Sequence, residues 1–537
     1  MSPRAETVMT EAPRLASMFT SHMVLQQLTR VPVWGWAAPG EPVTVRFEDQ
    51  VRTATSDATG CWRVMLEPLE AGGPFVMTVT GGRGTVRLDN VAVGEVWLAS
   101  GQSNMEWPVS RADQGAEEIA ASDRPGIRLF SVDRTKADEP RQAVTGAWQP
   151  CSPATVGPCS AVAYFFARDL HDALGVPIGI VIAAWDGSRA EAWTPRQVLE
   201  LDPDLSGIVR RADDELEAYG RNPDHYAQLR AQWQVDVQRA EAAGRPRPSK
   251  LQLPIKTGSR HRPGCLFNGM VAPIIPYAIK GVIWYQGESN TGRPEEYRKL
   301  FQALIRSWRT RWEQGPFPFL FVQLANYAPR HLRHRTGTDR AAASDDSDWA
   351  RLREAQAAAL AEPRTGMAVA VDIGDACDIH PTNKQDVGRR LARAAEAIAY
   401  ERPVVYSGPT YTSMTIAGRK AVIRFNQLGQ GLCAKADPLL GFVIAGHDRR
   451  FVPAHAAIQG ATVEVWSPEI AEPVAVRYAW HRNPCCDLYN RDGLPAPPFR
   501  TDDWPCASVR GRHLAANALF RNVRDDQPGG TTSGPAA

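Results

Sequence analysis

Four short stretches of the chain place small polar residues, or a carboxylate–histidine pair, directly after an apolar run that resembles a β-strand. They are GQSN (101–104), WDGSR (185–189), QGESN (286–290) and GDACDIHP (374–381). Brought together, these four junctions offer a serine, a glycine turn, side-chain amides and a histidine near carboxylates. Those groups are the parts of an acyl-transfer site, in which a serine attacks and a histidine accepts its proton.

Each candidate residue also has an ordinary structural explanation. A serine after a strand is commonly a helix N-cap, and a loop histidine such as His380 commonly does no more than satisfy a hydrogen bond. If the junctions meet, Ser103 is the candidate nucleophile and His380 the candidate base. The backbone N–H groups of Ser103 and Gly187, with an amide side chain, can then hold a tetrahedral oxyanion.

The elements between the junctions determine whether they meet. Apolar runs such as VWLAS, IGIVIAAW and KGVIWYQ alternate with helical patterns at 159–174 and 294–312. Strands that alternate with helices predict an α/β fold with a doubly wound parallel sheet. Because parallel strands all point one way, the residues that follow them lie along one edge of the sheet. The sequence therefore predicts that the four junctions share that edge.

The chain divides into three folded segments. Residues 1–92 alternate short β-prone runs with Gly and Pro turns, which predicts an N-terminal β-sandwich module. Residues 93–405 carry the alternating strands and helices and form the predicted catalytic domain. Residues 406–523 return to β patterning and predict a C-terminal β module, which either stands alone or co-folds with the N-terminal one.

Three other segments depart from these patterns. Residues from about 201 to 262 are highly charged and mostly helical, which predicts an insertion into the catalytic domain. Residues from about 328 to 348 predict a long, mobile loop. Residues 524–537 are rich in Gly, Pro and small polar residues, a composition typical of a disordered tail.

The composition is that of an ordinary globular protein, with 43% hydrophobic and 22% charged residues among 537. A net charge of +2 gives no reason to expect a nucleic-acid partner, and no apolar run approaches membrane-spanning length, so no membrane partner is expected. Nine scattered cysteines form no zinc pattern, so no metal is expected. The oligomeric state is left open.

The first residues determine the expected compartment. They lack the apolar core of a secretory signal, so we expect a cytoplasmic protein. If the N-terminus has been trimmed or misassigned, a periplasmic or secreted protein is expected instead. The composition itself does not distinguish between these compartments.

The motifs together resemble those of a known family. GQSNM, the DGSRAEAW turn, WYQGESN and DIHPTNKQDVGRRLA resemble the SGNH-hydrolase superfamily, and specifically the sialate O-acetylesterase-like carbohydrate esterases. The segments SHMVLQ and GFVIAGHDRRFVPAHA resemble the same family's flanking β segments. Any one motif is weak, but four in order with both flanks are specific.

The resemblance implies a fold and a function. The fold would be a flavodoxin-like SGNH catalytic domain between β modules. The activity would be removal of O-acetyl groups from a carbohydrate through an acyl-enzyme, without a cofactor. The substrate would be an acetylated sialic acid or an acetylated hemicellulose such as xylan or xyloglucan.

The resemblance also implies roles for individual residues. Ser103 would be the nucleophile, His380 the base and Gly187 an oxyanion donor through its N–H group. The third junction would supply the oxyanion amide, for which Gln286 is favoured and Asn290 is the alternate.

The chain departs from the family pattern at two places. Many SGNH enzymes carry an acid three residues before the histidine, where this chain has Cys377. Asp378 is the nearest carboxylate and Asp375 the next. Because residues 378 and 380 of an extended segment face the same side, we predict that Asp378 is the third triad residue. Asp186 also stands where relatives often carry a glycine.

Further residues at this edge are candidates for substrate contact. They are Asn104, Trp107, Arg189 and Glu288. Two other classes of protein stay open as alternatives: a non-catalytic carbohydrate-binding protein, or a glycosidase that uses paired carboxylates such as Glu288 and Asp378. The intact set of serine, glycine, amide and histidine argues against the first, and the second leaves the serine unexplained.

Overall fold

The computed structural model describes most of the chain. The described residues are 12–328, without 246, 249, 250 and 252, and 347–505. The tail predicted at 524–537, and all but the ends of the loop predicted at about 328–348, lie outside the described residues. Within the described part, none of the helices combines the length and the apolar character that a membrane crossing requires.

The N-terminal region consists of short strands. They are β1 (Arg14–Leu15), β2 (Val24–Gln26), β3 (Val31–Trp36), β4 (Pro42–Phe47), β5 (Gln50–Thr55), β6 (Cys61–Leu66) and β7 (Gly72–Gly81). Strands β1, β3 and β6 form one antiparallel sheet, and β4 pairs with β5 and β7. Along β4 the side chains of Val43, Val45 and Phe47 are buried and their neighbours are more exposed, the period-2 pattern that the sequence predicts.

Seven further strands form the centre of the molecule. They are β8 (Gly84–Gly101), β9 (Arg124–Ser131), β10 (Trp148–Cys151), β11 (Ile178–Ala184), β12 (Gly281–Tyr285), β13 (Phe319–Gln323) and β14 (Thr365–Val369). Their order across the sheet is β10-β9-β11-β8-β12-β13-β14. All neighbouring pairs are parallel except β10 with β9, so the central sheet is mixed.

Strand β8 joins the N-terminal strands to the central sheet. Its first part pairs antiparallel with β7 and its last part pairs parallel with β11 and β12. The boundary expected between residues 92 and 93 therefore falls inside one strand. The run Val91–Ala99 is fully buried, and it packs into a hydrophobic core that the N-terminal strands and the central strands share.

The helices follow the alternation that the sequence predicts. They are α1 (Ser103–Glu106), α2 (Gly115–Ala120), α3 (Ala161–Leu174), α4 (Ala190–Trp193), α5 (Arg196–Leu201), α6 (Ser206–Arg221), α7 (Pro223–Ala242), α8 (Pro294–Trp312), α9 (Asp348–Ala357) and α10 (Gln385–Ile398). The Ser160 side chain caps the start of α3, and Gly175 ends that helix in the left-handed conformation. The segment predicted as a helical insertion contains α6 and α7.

Aromatic contacts show which faces of the sheet the helices cover. Trp97 of β8 packs against Phe166 of α3, and Trp284 of β12 packs against Phe301 of α8. Trp284 is level with Ser100, three residues beyond Trp97, so the two indoles point to opposite faces of the sheet. Helices therefore pack against both faces.

The C-terminal strands form separate antiparallel sheets. The strands are β15 (Thr410–Ala417), β16 (Lys420–Asn426), β17 (Leu432–Ala434), β18 (Phe442–Ala445), β19 (Phe451–Pro453), β20 (His455–Gln459), β21 (Thr462–Trp466), β22 (Ala475–Tyr478), β23 (Leu488–Asn490) and β24 (Phe499–Arg500). They surround a hydrophobic core of their own, and none pairs with an N-terminal strand in the described part. Arg353 of α9 is buried and donates to the carbonyls of His481 and Arg482, which ties this region to the catalytic domain.

Candidate active site

The four junctions meet at the carboxyl edge of the central sheet. The N–H of Trp185 donates to the Gly101 carbonyl (3.1 Å), and the N–H of Gln102 donates to the end of β12 (3.0 Å). The fourth junction reaches the first through His380, whose Nε2 lies 2.8 Å from Ser103 Oγ. The structure thus brings together the stretches whose meeting the sequence predicts.

Ser103 reaches this edge because the strand before it ends in a glycine. A Cβ on Gly101 would lie 2.1 Å from the Tyr285 carbonyl oxygen, and its φ is +145°, so only glycine fits there. Helix α1 then begins at Ser103. Its N-cap is Gln102, with no side-chain capping bond, so the Ser103 hydroxyl does not serve as the cap. The hydroxyl is free to interact with His380.

His380 has one carboxylate beside its second ring nitrogen. Nδ1 lies 3.5 Å from Asp378 Oδ1, and the same oxygen accepts the His380 backbone N–H at 2.9 Å. Asp375 instead accepts from the Cys377 N–H at 2.6 Å, and Cys377 itself is exposed. Of the two candidates for the third triad position, Asp378 is the one next to the imidazole.

The surroundings of His380 favour the neutral imidazole. Burial lowers its pKa below the usual value, and the charges of Lys384 and Arg111 act in the same direction. Asp378 and Asp186 oppose that shift. A neutral imidazole can accept a proton, and the two carboxylates stabilise the imidazolium that results.

Trp107 holds the imidazole ring. The two ring planes are 17° apart with centroids at 5.3 Å, and the Trp107 indole N–H donates to the Arg111 carbonyl at 2.9 Å. The Arg111 guanidinium lies 3.9 Å from the indole centroid. Only 9% of Trp107 is exposed, so the residue expected to contact substrate packs against the candidate base, His380.

Asn104 links the start of α1 to the histidine loop. Its Nδ2 donates to Glu288 Oε1 (2.6 Å) and to the Ile379 carbonyl (3.0 Å). Its Oδ1 accepts from Lys384 Nζ at 2.6 Å. Asn104 and Glu288, both expected to contact substrate, are thus hydrogen-bonded to each other.

Lys384 is a fully buried lysine behind Ser103 and His380. Burial lowers its pKa to about 7, although the charge of Glu288 opposes the shift. Burial also raises the pKa of Glu288, whose Oε2 finds no hydrogen-bond partner among the described residues. The sequence analysis missed Lys384; its only sequence signal is its place in DIHPTNK, four residues after the histidine.

The amide side chains of the third junction are held inside the protein. Gln286 Nε2 lies within hydrogen-bond distance of Asn290 Oδ1 (2.7 Å), Gln102 Oε1 (3.2 Å) and the Ser188 carbonyl (3.3 Å). Asn290 Nδ2 donates to Glu191 Oε2 at 2.8 Å. Both amides are buried, and their N–H groups face protein acceptors. Their place in the oxyanion hole stays a prediction.

Arg189 belongs to the same supporting region. Burial would raise the pKa of Glu191, but Arg293, Arg189 and Asn290 hold it below the usual value. Arg293 Nη2 lies 2.8 Å from Glu191 Oε1. Arg189, expected to contact substrate, therefore acts on a buried structural carboxylate.

Two backbone donors at this edge are not used by the protein. Among the described residues, neither the Ser103 N–H nor the Gly187 N–H donates to a protein acceptor. Gly187 has a φ of +62°, which glycine adopts readily and most residues do not. Asp186, beside it, is close enough to act on the pKa of His380.

Comparison with known proteins identifies the family. A family model described as "Carbohydrate esterase, sialic acid-specific acetylesterase" matches residues 265–397. The sialate O-acetylesterase of Pongo abelii is 30% identical over 90% of this chain and 92% of its own length. The chain belongs to the sialate O-acetylesterase family. The Mus musculus sialate O-acetylesterase is similar to the same extent, 29% identical over 90% of this chain and 94% of that protein.

A solved structure agrees with this assignment. A carbohydrate acetylesterase from Xanthomonas citri is 39% identical and has a TM-score of 0.76, over 92% of this chain and all of that one. This sialate O-acetylesterase family member is therefore a carbohydrate O-acetylesterase, and the resemblance stated from the sequence is confirmed. The esterase assignment takes the place of the binding-protein and glycosidase alternatives.

A polar groove lies beside the candidate base of this acetylesterase. It is lined by residues that flank His380 and by residues from neighbouring loops, which include Asp113, Asn326, Asp375, Thr382 and Asn383. Carboxylate, amide and hydroxyl groups are hydrogen-bond partners for sugar hydroxyls. The sequence analysis named Asp375 only as a triad candidate and did not identify the other groove residues, because they come from separate loops.

Proposed function

We propose that this carbohydrate O-acetylesterase is a serine esterase that works through an acyl-enzyme. In this proposal Ser103 is the nucleophile, His380 the general base and Asp378 the residue that orients the imidazole. The observation that carries the proposal is the 2.8 Å separation of His380 Nε2 and Ser103 Oγ, at a serine whose hydroxyl caps no helix.

In the first half of the reaction, Ser103 Oγ attacks the carbonyl carbon of the acetyl ester as Nε2 of His380 accepts its proton. The carbonyl oxygen becomes an oxyanion, and the N–H groups of Ser103 and Gly187 are the open donors available to it. The tetrahedral intermediate then collapses. The bond to the sugar oxygen breaks, that oxygen takes the proton from His380, and acetyl-Ser103 remains.

In the second half, water replaces the sugar. The water oxygen attacks the acetyl carbon while His380 accepts a proton from the water. The bond to Oγ breaks, Oγ takes the proton back, and acetate leaves. For Gln286 to serve as a third oxyanion donor, it must exchange one of its protein hydrogen bonds for the oxyanion, and Asn290 is the alternate.

The fold proposed for this chemistry is the doubly wound, flavodoxin-like SGNH arrangement with flanking β-sandwich modules. Helices against both sheet faces and a nucleophile at the end of the central strand β8 support it. Ligands of such sheets bind outside the carboxyl ends of the strands, where Ser103 lies.

The proposed substrate is an acetylated sialic acid, with acetylated hemicelluloses such as xylan or xyloglucan as the alternative. The names of the mammalian relatives support the first. The polar groove beside His380 suits either, because both offer several hydroxyls.

The test combines substrate choice with labelling of the serine. Acetate release is measured from acetylated sialic acid, xylan and xyloglucan, and an organophosphonate probe is followed by intact mass. We expect one label per chain in the wild type and none in Ser103→Ala. Labelling that persists in Ser103→Ala contradicts the nucleophile assignment.

A further inference from the structure

Arg260 lies against the turn that carries one of the two open backbone donors. If Gly187 had a Cβ, that atom would stand 3.0 Å from Arg260 Nη2 and 3.9 Å from its Cζ. The guanidinium therefore occupies the space that a side chain at residue 187 would take. It lies beside the proposed oxyanion donor although it comes from the far end of the insertion, more than seventy residues along the chain.

The loop that carries Arg260 is tied to the same side of the site. Lys136 Nζ donates to the Gly258 carbonyl at 2.7 Å, two residues before Arg260. Lys136 also lies 5.7 Å from the Trp185 indole centroid, on the turn that leads to Gly187. Through these two contacts Lys136 connects the loop that precedes Arg260 with the turn that leads to Gly187.

Arg260 differs from the arginines around it in having no carboxylate partner. Arg134 pairs with Glu106, Arg262 with Asp138, and Arg293 with a buried glutamate. Within residues 12–328 and 347–505 no ion pair involves Arg260, and its buried Nε has no hydrogen-bond partner.

Burying the Arg260 Nε–H without an acceptor is unfavourable, because this donor has lost water without gaining a partner. A carboxylate offers the planar pair of oxygens that a guanidinium binds best. A charged partner therefore fits this position better than a sugar hydroxyl does.

We propose that Arg260 binds a carboxylate of the substrate and so selects acetylated sugars that carry an acid group. This inference rests on the proposed function, since it places the scissile ester at Ser103. The groove beside His380 has carboxylates of its own, Asp113 and Asp375, which disfavour an anionic group on that side. The substrate's carboxylate would then face Arg260, with its hydroxyls toward the groove.

Two kinds of sugar supply this chemistry. Sialic acids carry a carboxylate on the same sugar residue as the acetyl group, whereas acidic hemicelluloses carry it on a uronic acid branch. Because Arg260 is beside the oxyanion turn, the carboxylate must lie close to the ester, and we commit to the sialic acid. Acetylated glucuronoxylan, before and after reduction of its carboxyl groups, is the second arm of the test.

The decisive measurement is a selectivity ratio: kcat/KM for acetate release from an O-acetylated sialic acid, divided by kcat/KM for its carboxyl methyl ester. We expect the wild type to favour the acid and Arg260→Gln to lower the ratio about 10- to 100-fold, the range for one charge-assisted pair. Arg260→Lys should keep part of the ratio, because it keeps the charge and loses the planar fork.

The matched control is Arg230→Gln, an exposed arginine on α7 of the same insertion, which should keep the wild-type ratio. A wild-type ratio near one, or a ratio that Arg260→Gln leaves unchanged, overturns the proposal. A ratio that falls only on the glucuronoxylan arm overturns the commitment to sialic acid. Failure of the proposed serine mechanism is detected separately: hydrolysis of 4-nitrophenyl acetate would then persist in Ser103→Ala.

Discussion

The ends of β8 and β12 look alike in sequence and differ in use. Strand β8 ends at Gly101 and β12 ends two residues before Gly287. Polar residues follow each glycine, and both glycines have a positive φ. At the end of β8 the Ser103 hydroxyl faces His380 and its N–H is open. At the end of β12 the amides of Gln286 and Asn290 are consumed by protein acceptors. In the described part, the end of β8 leaves an N–H without a protein acceptor, whereas the amides at the end of β12 hold the loops in place.

The position of each residue relative to its glycine explains the difference. Ser103 stands two residues beyond Gly101 and begins a helix, so its donors have left the sheet. Gln286 is the first residue after β12, one residue before Gly287, and is fully buried. A buried amide must find its partners inside the protein. The burial of a polar side chain at a strand end therefore predicts whether it is available to a substrate or hydrogen-bonds within the protein.

The largest expected effect comes from removing the open hydroxyl. Ser103→Ala should lower kcat for 4-nitrophenyl acetate by about 10⁴-fold or more, the scale for loss of a catalytic serine. The matched control is Ser289→Ala at the end of β12, which should keep most of the activity because only its backbone contacts Gln102. Circular dichroism should show both variants folded. Equal losses in the two variants would show that the two strand ends do not differ.

The next prediction tests which carboxylate orients the His380 imidazole at the end of β8. Asp378→Asn keeps an oxygen for the His380 N–H but removes the charge near Nδ1, so kcat should fall about 10²-fold. That is less than for a buried triad acid, because more than half of the Asp378 side chain is exposed. Asp375→Asn and Cys377→Ser are the controls and should have weaker effects on kcat. A larger loss in Asp375→Asn would move the third triad role to that residue.

A smaller effect is expected at the supporting strand end. Removing an open oxyanion donor lowers kcat by about 10²- to 10³-fold. Because the Gln286 amide faces three protein acceptors, we expect Gln286→Ala to lower kcat about tenfold or less. It should also lower the free energy of unfolding by about 1–3 kcal/mol, since it leaves buried groups unpaired.

The same two quantities, kcat and the free energy of unfolding from urea curves, are measured for Asn290→Ala. Asn290 lies in the same network and should show the same balance of effects. A kcat loss above 10²-fold in either variant, at unchanged stability and KM, would make that amide the oxyanion donor and would remove the distinction between the two strand ends.

Much of this arrangement follows from the sequence. Alternating strands and helices place the four junctions on one edge, and Ser103, Gly187 and His380 arrive there as expected. The sequence did not reveal that one strand, β8, continues through the boundary expected between residues 92 and 93. The strand stays buried there, and nothing in the pattern marks the change of partner strand.

The roles of single polar residues depend on contacts between distant segments. Asn104 is a residue type that commonly contacts substrate, yet two of its partners lie in the third and fourth junctions and the third partner, Lys384, lies just after the fourth. Lys384 immediately precedes helix α10, a position at which a lysine is usually exposed, but in the fold it is buried. Arg260 lies in a charged insertion where one arginine resembles the next. In each case the decisive fact is burial, which the linear pattern does not carry.

The smallest effect concerns the charge behind the open serine. The pKa of His380 is lowered by burial and by Lys384, so the acid limb of kcat/KM should have its midpoint below the ordinary histidine value of 6.5. Lys384 has a pKa of about 7 and is largely protonated on that limb. Lys384→Met removes this charge, the imidazolium becomes easier to form, and the midpoint should move to higher pH. The pH profile with 4-nitrophenyl acetate measures the shift, and Lys384→Arg, which keeps a charge, should restore part of it. A midpoint that stays fixed or moves to lower pH would mean that Lys384 supports Asn104 and does not act on the base.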